Sequence, residues 1–321
     1  MNAIIHAIKD HEEFIITSHE HPDPDSLGSM LGLYFGLKQL GKSCRVVSSD
    51  PPPENLDWPG LDLIEVLPDG LDNIGDAWII VLDCEPSRTG ILSVTLQQSD
   101  RIINIDHHRG NAYRNPTTHI NSTEAATAVM VYRLLKSLGV TLTREIATSL
   151  YAGIVGDTGG FRYANTTAET LMIAAELMQH GVDHASINRQ IFASQSMEFM
   201  KLLGYALSNL KSDLDGRLVW MELSYDDFQR FGTDPNTTDQ LVQYARMVNS
   251  AVIAILFREA SPGEVRVGFR SDYIDVGALA SQLGGGGHRL AAGAKIQGRL
   301  EEVVELVLSK ARNYLNEVEH S

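Results

Sequence analysis

Short apolar, β-branched runs alternate with helical patterns through the first half of the chain, and this alternation constrains the fold most strongly. The runs predicted to be buried strands are residues 14–19, 44–49, 77–83 and 101–108. The predicted helices are 26–42, with Ser26 as N-cap and Gly41 near the end, 124–139, 143–156 and 168–181. Strands joined through helices or long connections form a mainly parallel sheet with helices on its faces. The first half is therefore predicted to be an α/β domain.

The second half has a different pattern, in which strands follow one another more closely. Strands are predicted at 217–223, 250–260, 264–271 and 291–297, and helices at 275–284 and 300–319. The stretch between the halves, 186–210, has helical periodicity and is predicted to be a connecting helix. We therefore expect a domain over residues 1–185, a helical linker over 186–210 and a smaller α/β domain over 211–321.

Composition limits the functions that this fold can have. The 321 residues include 26 Lys and Arg against 41 Asp and Glu, a formal net charge of −15, which argues against broad adhesion to nucleic acid or anionic membranes. Two cysteines are too few for a disulfide framework, and no apolar run reaches the roughly 20 residues that span a bilayer. The N-terminal segment has charges where a signal peptide is apolar. These features predict a cytoplasmic protein without a membrane partner.

Acidic and histidine side chains lie at the predicted ends of several apolar elements. They are His19, His21, Asp23 and Asp25 after the apolar run FIITS, Asp83 after AWIIVL, Asp106, His107 and His108 after RIINI, and Asp157 after the helical AGIVG. The carboxyl ends of parallel strands share one edge of a sheet, where ligands bind. Each residue alone could be a turn or capping residue. Five carboxylates in one cleft, however, would repel one another strongly without bound cations.

The types of ligand indicate which cations would bind. Carboxylate and imidazole groups without a thiolate favour Mn²⁺ or Mg²⁺ over a structural zinc ion, and enough ligands are present for two ions. A pair of such ions can hold a hydroxide and stabilise both oxygens of a phosphoryl displacement. The pattern therefore indicates phosphoester hydrolysis.

Four stretches carry a resemblance to a known family: HEHPDPDSLGS, VLD, IDHHRGN and GDTGGFRYANTT, in this order. They resemble the four motifs of the DHH phosphoesterase superfamily, which is named after the triplet at Asp106–His107–His108. The resemblance implies one metal ion held by His19, Asp23 and Asp83, and a second held by Asp25, Asp83, His107 and Asp157. Asp83 would then bridge the two ions.

The same resemblance implies roles for the remaining motif residues. His108 would face the scissile phosphate, and Asp106 would orient the neighbouring imidazoles. His21 stands at a variable position of the motif, so we expect it to be structural or exposed. Pro24 stands where glycine is more usual in these enzymes, which stiffens the turn and leaves the ligands intact.

The glycine run GGGGHRLAAGA at 284–294 is the second strong signal. A glycine run can be a flexible turn, but successive glycines also let backbone N–H groups approach an anion. With arginines on the preceding strands, the pattern resembles DHHA1, the small substrate-binding domain of several DHH subfamilies. The residues thereby implied to bind a terminal phosphate or nucleotide are Arg270, Gly285, Gly286, Gly287 and His288, with Arg258 as a further candidate.

Length and layout narrow the choice within the superfamily. The chain has no room for the OB-fold of a RecJ-type nuclease, and it lacks the SRK motif of family II pyrophosphatases. What remains resembles the bifunctional oligoribonucleases, or nanoRNases, that are also phosphatases of 3′-phosphoadenosine 5′-phosphate (pAp). This resemblance implies hydrolysis of short RNA or DNA to mononucleotides, and of pAp to AMP and phosphate, by a hydroxide bridging two Mn²⁺ or Mg²⁺ ions.

Two alternatives stay open at this point. One is a cytosolic phosphodiesterase for linear dinucleotides such as pApA, and the other is a non-catalytic nucleotide-binding module. The sequence also leaves open the polarity of cleavage, the native metal and the formation of a homodimer.

Overall fold

The computed structural model describes residues 1–71 and 74–319 of the chain. The chain forms two compact units, Met1–Ser194 and Gln195–Ser321. The predicted single helix over residues 186–210 is wrong, because two helices occupy this stretch: His184–Phe192 in the first unit and Met197–Ser208 in the second. Ala193 leaves helical geometry, and Ser196 is extended and caps the second helix with its side chain.

The first unit contains a six-stranded sheet in which all neighbours are parallel. Its strands are β1 (Glu13–Thr17), β2 (Ser43–Ser48), β3 (Ile64–Val66), β4 (Trp78–Leu82), β5 (Ile102–Asp106) and β6 (Thr118–Ile120). They lie in the order β3-β2-β1-β4-β5-β6. The direction of this order reverses between β1 and β4, and such a reversal opens a ligand-binding crevice at the carboxyl ends of the strands.

Helices accompany this sheet, and both of its faces are buried. The helices are α1 (Asn2–Asp10), α2 (Pro24–Gln39), α3 (Ser93–Leu96), α4 (Thr127–Ser137), α5 (Arg144–Asp157), α6 (Ala168–Met178) and α7 (His184–Phe192). Ile16 and Ile80 belong to the apolar cluster that includes α2, α4 and α5, whereas Ile15 and Ile79 belong to a second cluster. Burial on both faces explains why the strands are continuous apolar runs.

Helix α2 begins two residues earlier than predicted, and its N-cap is Asp23 instead of Ser26. Asp23 Oδ1 accepts a hydrogen bond from the Ser26 N–H at 2.9 Å, and the Ser26 hydroxyl accepts one from the Asp23 N–H at 2.9 Å. This reciprocal pair is a capping box. Pro24 occupies the first helical position, where its missing N–H has no intrahelical partner to lose.

Helices α2 and α5 pack with their backbones close together. A Cβ atom at Gly28 would lie 2.2 Å from the backbone oxygen of Ser149, so a side chain larger than hydrogen does not fit there. A Cβ atom at Gly153 would lie 2.8 Å from Asp25 Oδ1. The close approach therefore brings Asp25, near the start of α2, against the last turn of α5, which ends at Asp157.

The second unit contains a mixed six-stranded sheet. Its strands are β7 (Lys211–Asp213), β8 (Leu218–Leu223), β9 (Ile253–Ser261), β10 (Glu264–Arg270), β11 (Gly286–His288) and β12 (Ala291–Gln297), in the order β11-β12-β10-β9-β8-β7. Its helices are α8 (Met197–Ser208), α9 (Tyr225–Phe231), α10 (Val242–Arg246), α11 (Val276–Ser281) and α12 (Leu300–Glu319). Strands β8 and β9 are parallel and the other neighbours antiparallel. The predicted α/β class is confirmed, and none of the helices in the described part of the chain is long and apolar enough to cross a membrane.

Candidate metal centre

The crevice between β1 and β4 contains the first group of metal-directed side chains. His19 lies two residues after β1, and Asp83 directly follows β4. His19 Nε2 is 3.6 Å from Asp83 Oδ2 and 3.8 Å from Asp23 Oδ1. The ligand atoms of these three residues all lie within 4.8 Å of one another, so they could hold one ion. Asp83 has a left-handed φ of 64°, a strained conformation that is concentrated at functional sites.

A second group shares this crevice and consists of Asp25, His107 and Asp157. His107 Nε2 is 3.1 Å from Asp157 Oδ2 and 3.5 Å from Asp83 Oδ1. Asp83 thus directs Oδ2 toward His19 in the first group and Oδ1 toward His107 in the second. The six residues implied to bind metal are therefore brought together around one buried carboxylate.

A third group of possible ligands consists of Asp83, His107 and His108, and Asp106 lies beside His108. His108 Nδ1 is 2.8 Å from Asp106 Oδ1 and 3.7 Å from Asp83 Oδ1. Asp106 is fully buried, and its other oxygen accepts a hydrogen bond from Asn111 Nδ2 at 2.7 Å. Burial alone would raise the pKa of Asp106, but the hydrogen bonds from His108 and Asn111 outweigh it and lower that pKa. Asp106 is therefore an anion that orients the His108 ring.

Hydrogen bonds on the far side of two rings fix how those histidines face the carboxylates. His19 Nδ1 is 2.7 Å from the Glu20 carbonyl oxygen, and His107 Nδ1 is 3.2 Å from that of Glu124. A carbonyl oxygen can only accept, so Nδ1 carries the proton in both rings. In the neutral rings, Nε2 then presents a lone pair toward the carboxylates, which is the arrangement that metal ligation requires.

Three of the carboxyl groups, those of Asp25, Asp83 and Asp157, have pKa values above the ordinary value. Burial raises the pKa of Asp83, and repulsion from Asp25 raises it further; the same two causes raise the pKa of Asp157 to about 8. Burial lowers the pKa of His19 and of His107, but the neighbouring carboxylates outweigh it and raise these values to about 11 and about 9. A divalent cation would relieve the repulsion that protons otherwise relieve, so this donor set fits a metal.

The groups that hold the carboxylates in place were not predicted from the sequence. The predicted helix at 124–139 begins at Thr127, and the N–H groups of Thr127 and Ala128 donate to the two oxygens of Asp25 at 2.7 and 2.9 Å. The Thr127 hydroxyl donates to Asp83 Oδ1 at 2.8 Å. The predicted start of a helix soon after the third motif was a signal for these contacts, because the N–H groups at a helix N-terminus attract anions such as carboxylates.

His21, the remaining histidine of the first motif, lies outside the three metal-directed groups found among the described residues. Its side chain is 85% exposed, and its φ is 54°. The His21 N–H donates to Asp50 Oδ2 at 2.9 Å, which holds the loop between His19 and Asp23 against the end of β2. The structure thus gives His21 an exposed position in a tethered loop.

The candidate substrate contacts of the second unit lie on β9 to β12. Arg258 pairs with Arg266 across β9 and β10, and its Nη1 donates to the Pro235 carbonyl oxygen at 2.8 Å. Arg258 is buried, and its Nε has no hydrogen-bond partner within the described ranges. Burial lowers the pKa of Arg258, and Arg266 and Arg270 lower it further because like charges lie nearby.

The last two glycines of the run, Gly286 and Gly287, form strand β11 together with His288. A Cβ atom at Gly285 would lie 2.1 Å from the Gly293 oxygen, and one at Gly287 would lie 2.5 Å from Ala292 Cα, so both glycines allow β11 to approach β12. Gly286 meets no described atom within 4 Å. His288 and Arg270 both pair with Ala291, from opposite sides of β12. Directly paired residues share one face of a sheet, so Arg270 and His288 lie on the same face.

Comparisons with known proteins agree with this arrangement. The model of the DHH family, N-terminal domain, matches residues 13–154, and that of the DHHA1 domain matches residues 217–317. A bifunctional oligoribonuclease and PAP phosphatase NrnA from Thermus thermophilus is 37% identical over 309 residues, which cover 94% of this chain and 89% of that protein. The protein of the same name from Bacillus subtilis is 29% identical over 297 residues, covering 91% and 92%.

Solved structures share the fold over nearly the whole chain. An exopolyphosphatase-related protein from Bacteroides fragilis has 25% identity and a TM-score of 0.89, and the match covers 99% of this chain and 98% of that one. RecJ from Thermus thermophilus in complex with Mn²⁺ has 14% identity and a TM-score of 0.54, covering 99% and 55%. The second likeness concerns the fold alone.

Proposed function

This chain belongs to the DHH family with a DHHA1 second domain, and on that premise we propose that it is a metal-dependent phosphoesterase. Its substrates are short oligonucleotides, cleaved to mononucleotides, and pAp, cleaved to AMP and phosphate. Relatives named bifunctional oligoribonuclease and PAP phosphatase support this substrate class. The observation that carries the proposal is the buried Asp83 carboxylate, which directs one oxygen toward each of two groups of metal ligands.

We assign two cation positions to these groups. His19, Asp23 and Asp83 would hold one cation, and Asp25, Asp83, His107 and Asp157 would hold the other. Oxygen and imidazole ligands without a thiolate suit Mn²⁺, with Mg²⁺ as the second choice. When bound, the cations supply a water of lowered pKa as the nucleophile and neutralise charge on the phosphoryl oxygens.

His108 handles the proton of the leaving group in this proposal. The Asp106 carboxylate accepts a hydrogen bond from the Nδ1–H group of His108, which fixes the ring so that Nε2 points away from that carboxylate. The imidazolium form of His108 donates its Nε2 proton to the leaving oxygen as the ester bond breaks. Asn111 and the His108 N–H keep Asp106 ionised, so the imidazolium has a negative partner.

In the second unit, we assign phosphate binding to the face that carries Arg270 and His288. Arg258 adds a further buried cation on β9. Gly286 and Gly287 lie on the neighbouring strand β11, where their backbone N–H groups contribute to binding of the anion. The Gly285 N–H instead donates to the Ala280 carbonyl oxygen at 2.9 Å, so we assign Gly285 to the close packing of this segment against β12.

A substrate panel with two variants tests the proposal. The panel contains pAp, pApA, RNA of two to five residues, short DNA, pyrophosphate and cyclic di-AMP, each with Mn²⁺ and with Mg²⁺. We expect turnover of pAp and of short RNA, and a decrease in kcat on the order of a hundred- to a thousand-fold or more for Asp83→Asn, because the shared ligand loses its charge. Asp10→Asn is the matched control at an exposed aspartate.

Three results would count against the proposal. Equal turnover by the wild type and Asp83→Asn would rule out chemistry at this centre. Phosphate release from pyrophosphate alone would rule out the nucleotide substrates, and a strong preference for pApA would favour the dinucleotide alternative.

A further inference from the structure

The loop after Asp157 has an unusual backbone. Gly159, Gly160 and Phe161 are three consecutive left-handed residues, with φ values of 58°, 68° and 65°. A phenylalanine rarely adopts this conformation. The Thr158 hydroxyl accepts a hydrogen bond from the Phe161 N–H at 3.1 Å, and the Phe161 ring packs edge-on against Tyr151 of α5. The loop therefore has a fixed shape that its neighbours enforce.

This loop presents Tyr163 at the surface with one side of its ring covered. A Cβ atom at Gly159 would lie 2.4 Å from Tyr163 Cζ and 2.6 Å from each Cε, and the phenolic oxygen is not among the nearest atoms. The contact is thus with the ring face, which lies directly on the glycine backbone. The residue is nevertheless 42% exposed, so a large part of it remains open to solvent.

Both ends of the loop are held at the backbone of Asp157, one of the candidate metal ligands. Its first residue, Thr158, follows Asp157 and accepts hydrogen bonds from the N–H groups of Arg162 and Tyr163. Beyond Tyr163, Asn165 Nδ2 donates to the backbone oxygen of Asp157 at 3.1 Å and to that of Ala125 at 2.9 Å. Tyr163 therefore occupies a closed loop that begins and ends at Asp157, whose carboxylate faces His107.

A positively charged side chain, that of Arg162, lies in the same loop. Arg162 is exposed, and its guanidinium carbon is 5.3 Å from the centroid of the Phe192 ring of α7. The loop thus combines an exposed aromatic ring with a positive charge, which is how proteins bind single-stranded nucleic acid without reading its sequence.

We propose that Tyr163 is a nucleobase-binding residue, and that its exposed face stacks on one base of an oligonucleotide whose phosphodiester lies at the metal centre. This inference rests on the function proposed above for the same centre. Since Gly159 occupies the opposite ring face, one base stacks on the tyrosine. Every base has a π face, so this contact selects for a nucleotide over pyrophosphate and tolerates any base.

Kinetics with base-free substrates test the stacking. The substrates are a 5′-phosphorylated RNA dinucleotide and two versions in which hydrogen replaces one base. We expect Tyr163→Ala to raise KM for the intact dinucleotide about ten-fold, with the effect in KM more than in kcat, and Tyr163→Phe to retain the wild-type KM. Removal of the base that stacks on the tyrosine should raise the KM of the wild type by about as much as Tyr163→Ala does with the intact dinucleotide. With the substrate that lacks this base, Tyr163→Ala should cause no further increase in KM.

Other outcomes would overturn the inference. An increase in KM that is equal for intact and base-free substrates would mean that the ring only covers Gly159, and an unchanged KM would exclude stacking. Met172→Ala, at an exposed residue of α6, is the control for loss of a large surface side chain.

Calorimetric titration with a hydrolysis-resistant phosphorothioate dinucleotide separates the two proposals. Binding that depends on Tyr163 without any turnover would count against the proposed function alone. Absence of binding to the wild type would contradict both.

Discussion

At the scale of single residues, the proposed metal centre depends on a side chain that no ligand pattern selects. The Thr127 hydroxyl donates to Asp83 Oδ1, and both residues are buried. A carboxylate that has to face two ligand groups needs such a partner to fix its rotation. Groups of this kind affect metal affinity nearly as strongly as some ligands do.

Thr127→Val removes this hydrogen bond and preserves the shape of the side chain. We expect the affinity for Mn²⁺ to fall about ten- to a hundred-fold, because Asp83 loses its orientation while the backbone bonds to Asp25 remain. Calorimetric titration of the metal-free protein measures this change. Thr127→Ser keeps the hydroxyl and should bind Mn²⁺ as the wild type does; equal affinities in all three proteins would show that the bond has no positioning role.

The residue scale also shows how far the ligand motifs could be predicted. His19, Asp23, Asp83 and the others could be named because their types and order match a family pattern, and the structure groups the same side chains. Their roles as ligands stay a prediction. Thr127 could not be named, because its partners Asp25 and Asp83 lie 102 and 44 positions away in the sequence.

At the scale of elements, the centre depends on the close crossing of α2 and α5. Gly28 allows it, since a Cβ atom there would meet the Ser149 oxygen at 2.2 Å and the Gly153 nitrogen at 2.9 Å. Both contacts are with backbone atoms, which cannot rotate away as a side chain can. Separation of the helices would move Asp25 relative to Asp157, which end up in one group only because the helices touch.

Gly28→Ala should therefore lower the free energy of unfolding of the first unit by about 1–3 kcal/mol or more, and weaken metal binding as well. Gly204→Ala is the matched control, because Gly204 is a helical glycine of α8 with no described atom within 4 Å of an added Cβ. That substitution should stabilise by up to about 1 kcal/mol. Urea unfolding followed by circular dichroism measures both; a Gly28→Ala protein as stable as Gly204→Ala would contradict the crossing.

At the scale of the whole molecule, the charges of the centre link metal binding to stability. The folded-state pKa values of Asp157, His107 and His19 are about 8, about 9 and about 11, above the ordinary values of 3.8 and 6.5. Between the ordinary and the raised value, the folded protein holds more protons than the unfolded one. Stability of the metal-free protein must then fall as pH rises through that window.

We accordingly expect the Tm of the metal-free protein to fall between about pH 5.5 and about pH 8, and Mg²⁺ to raise Tm more at the higher pH. At low pH the cation has to displace protons that the site holds, so it binds more weakly there and stabilises the folded protein less. Scanning calorimetry with chelator and with Mg²⁺ at both pH values measures this. In Asp157→Asn the decrease with pH should be smaller, and an equal Mg²⁺ effect at both pH values would contradict the linkage.

The sequence by itself determined the α/β class and the placement of acidic groups at strand ends, because both follow from local patterns of apolar and polar residues. Only the tertiary structure decided the three-residue strands β3, β6, β7 and β11, since runs this short have no periodicity of their own. It also decided that Asp23 caps α2, that the glycine run pairs with β12 and that Thr127 holds Asp83. These features arise from contacts between distant parts of the chain, and such contacts exist only once the core has packed.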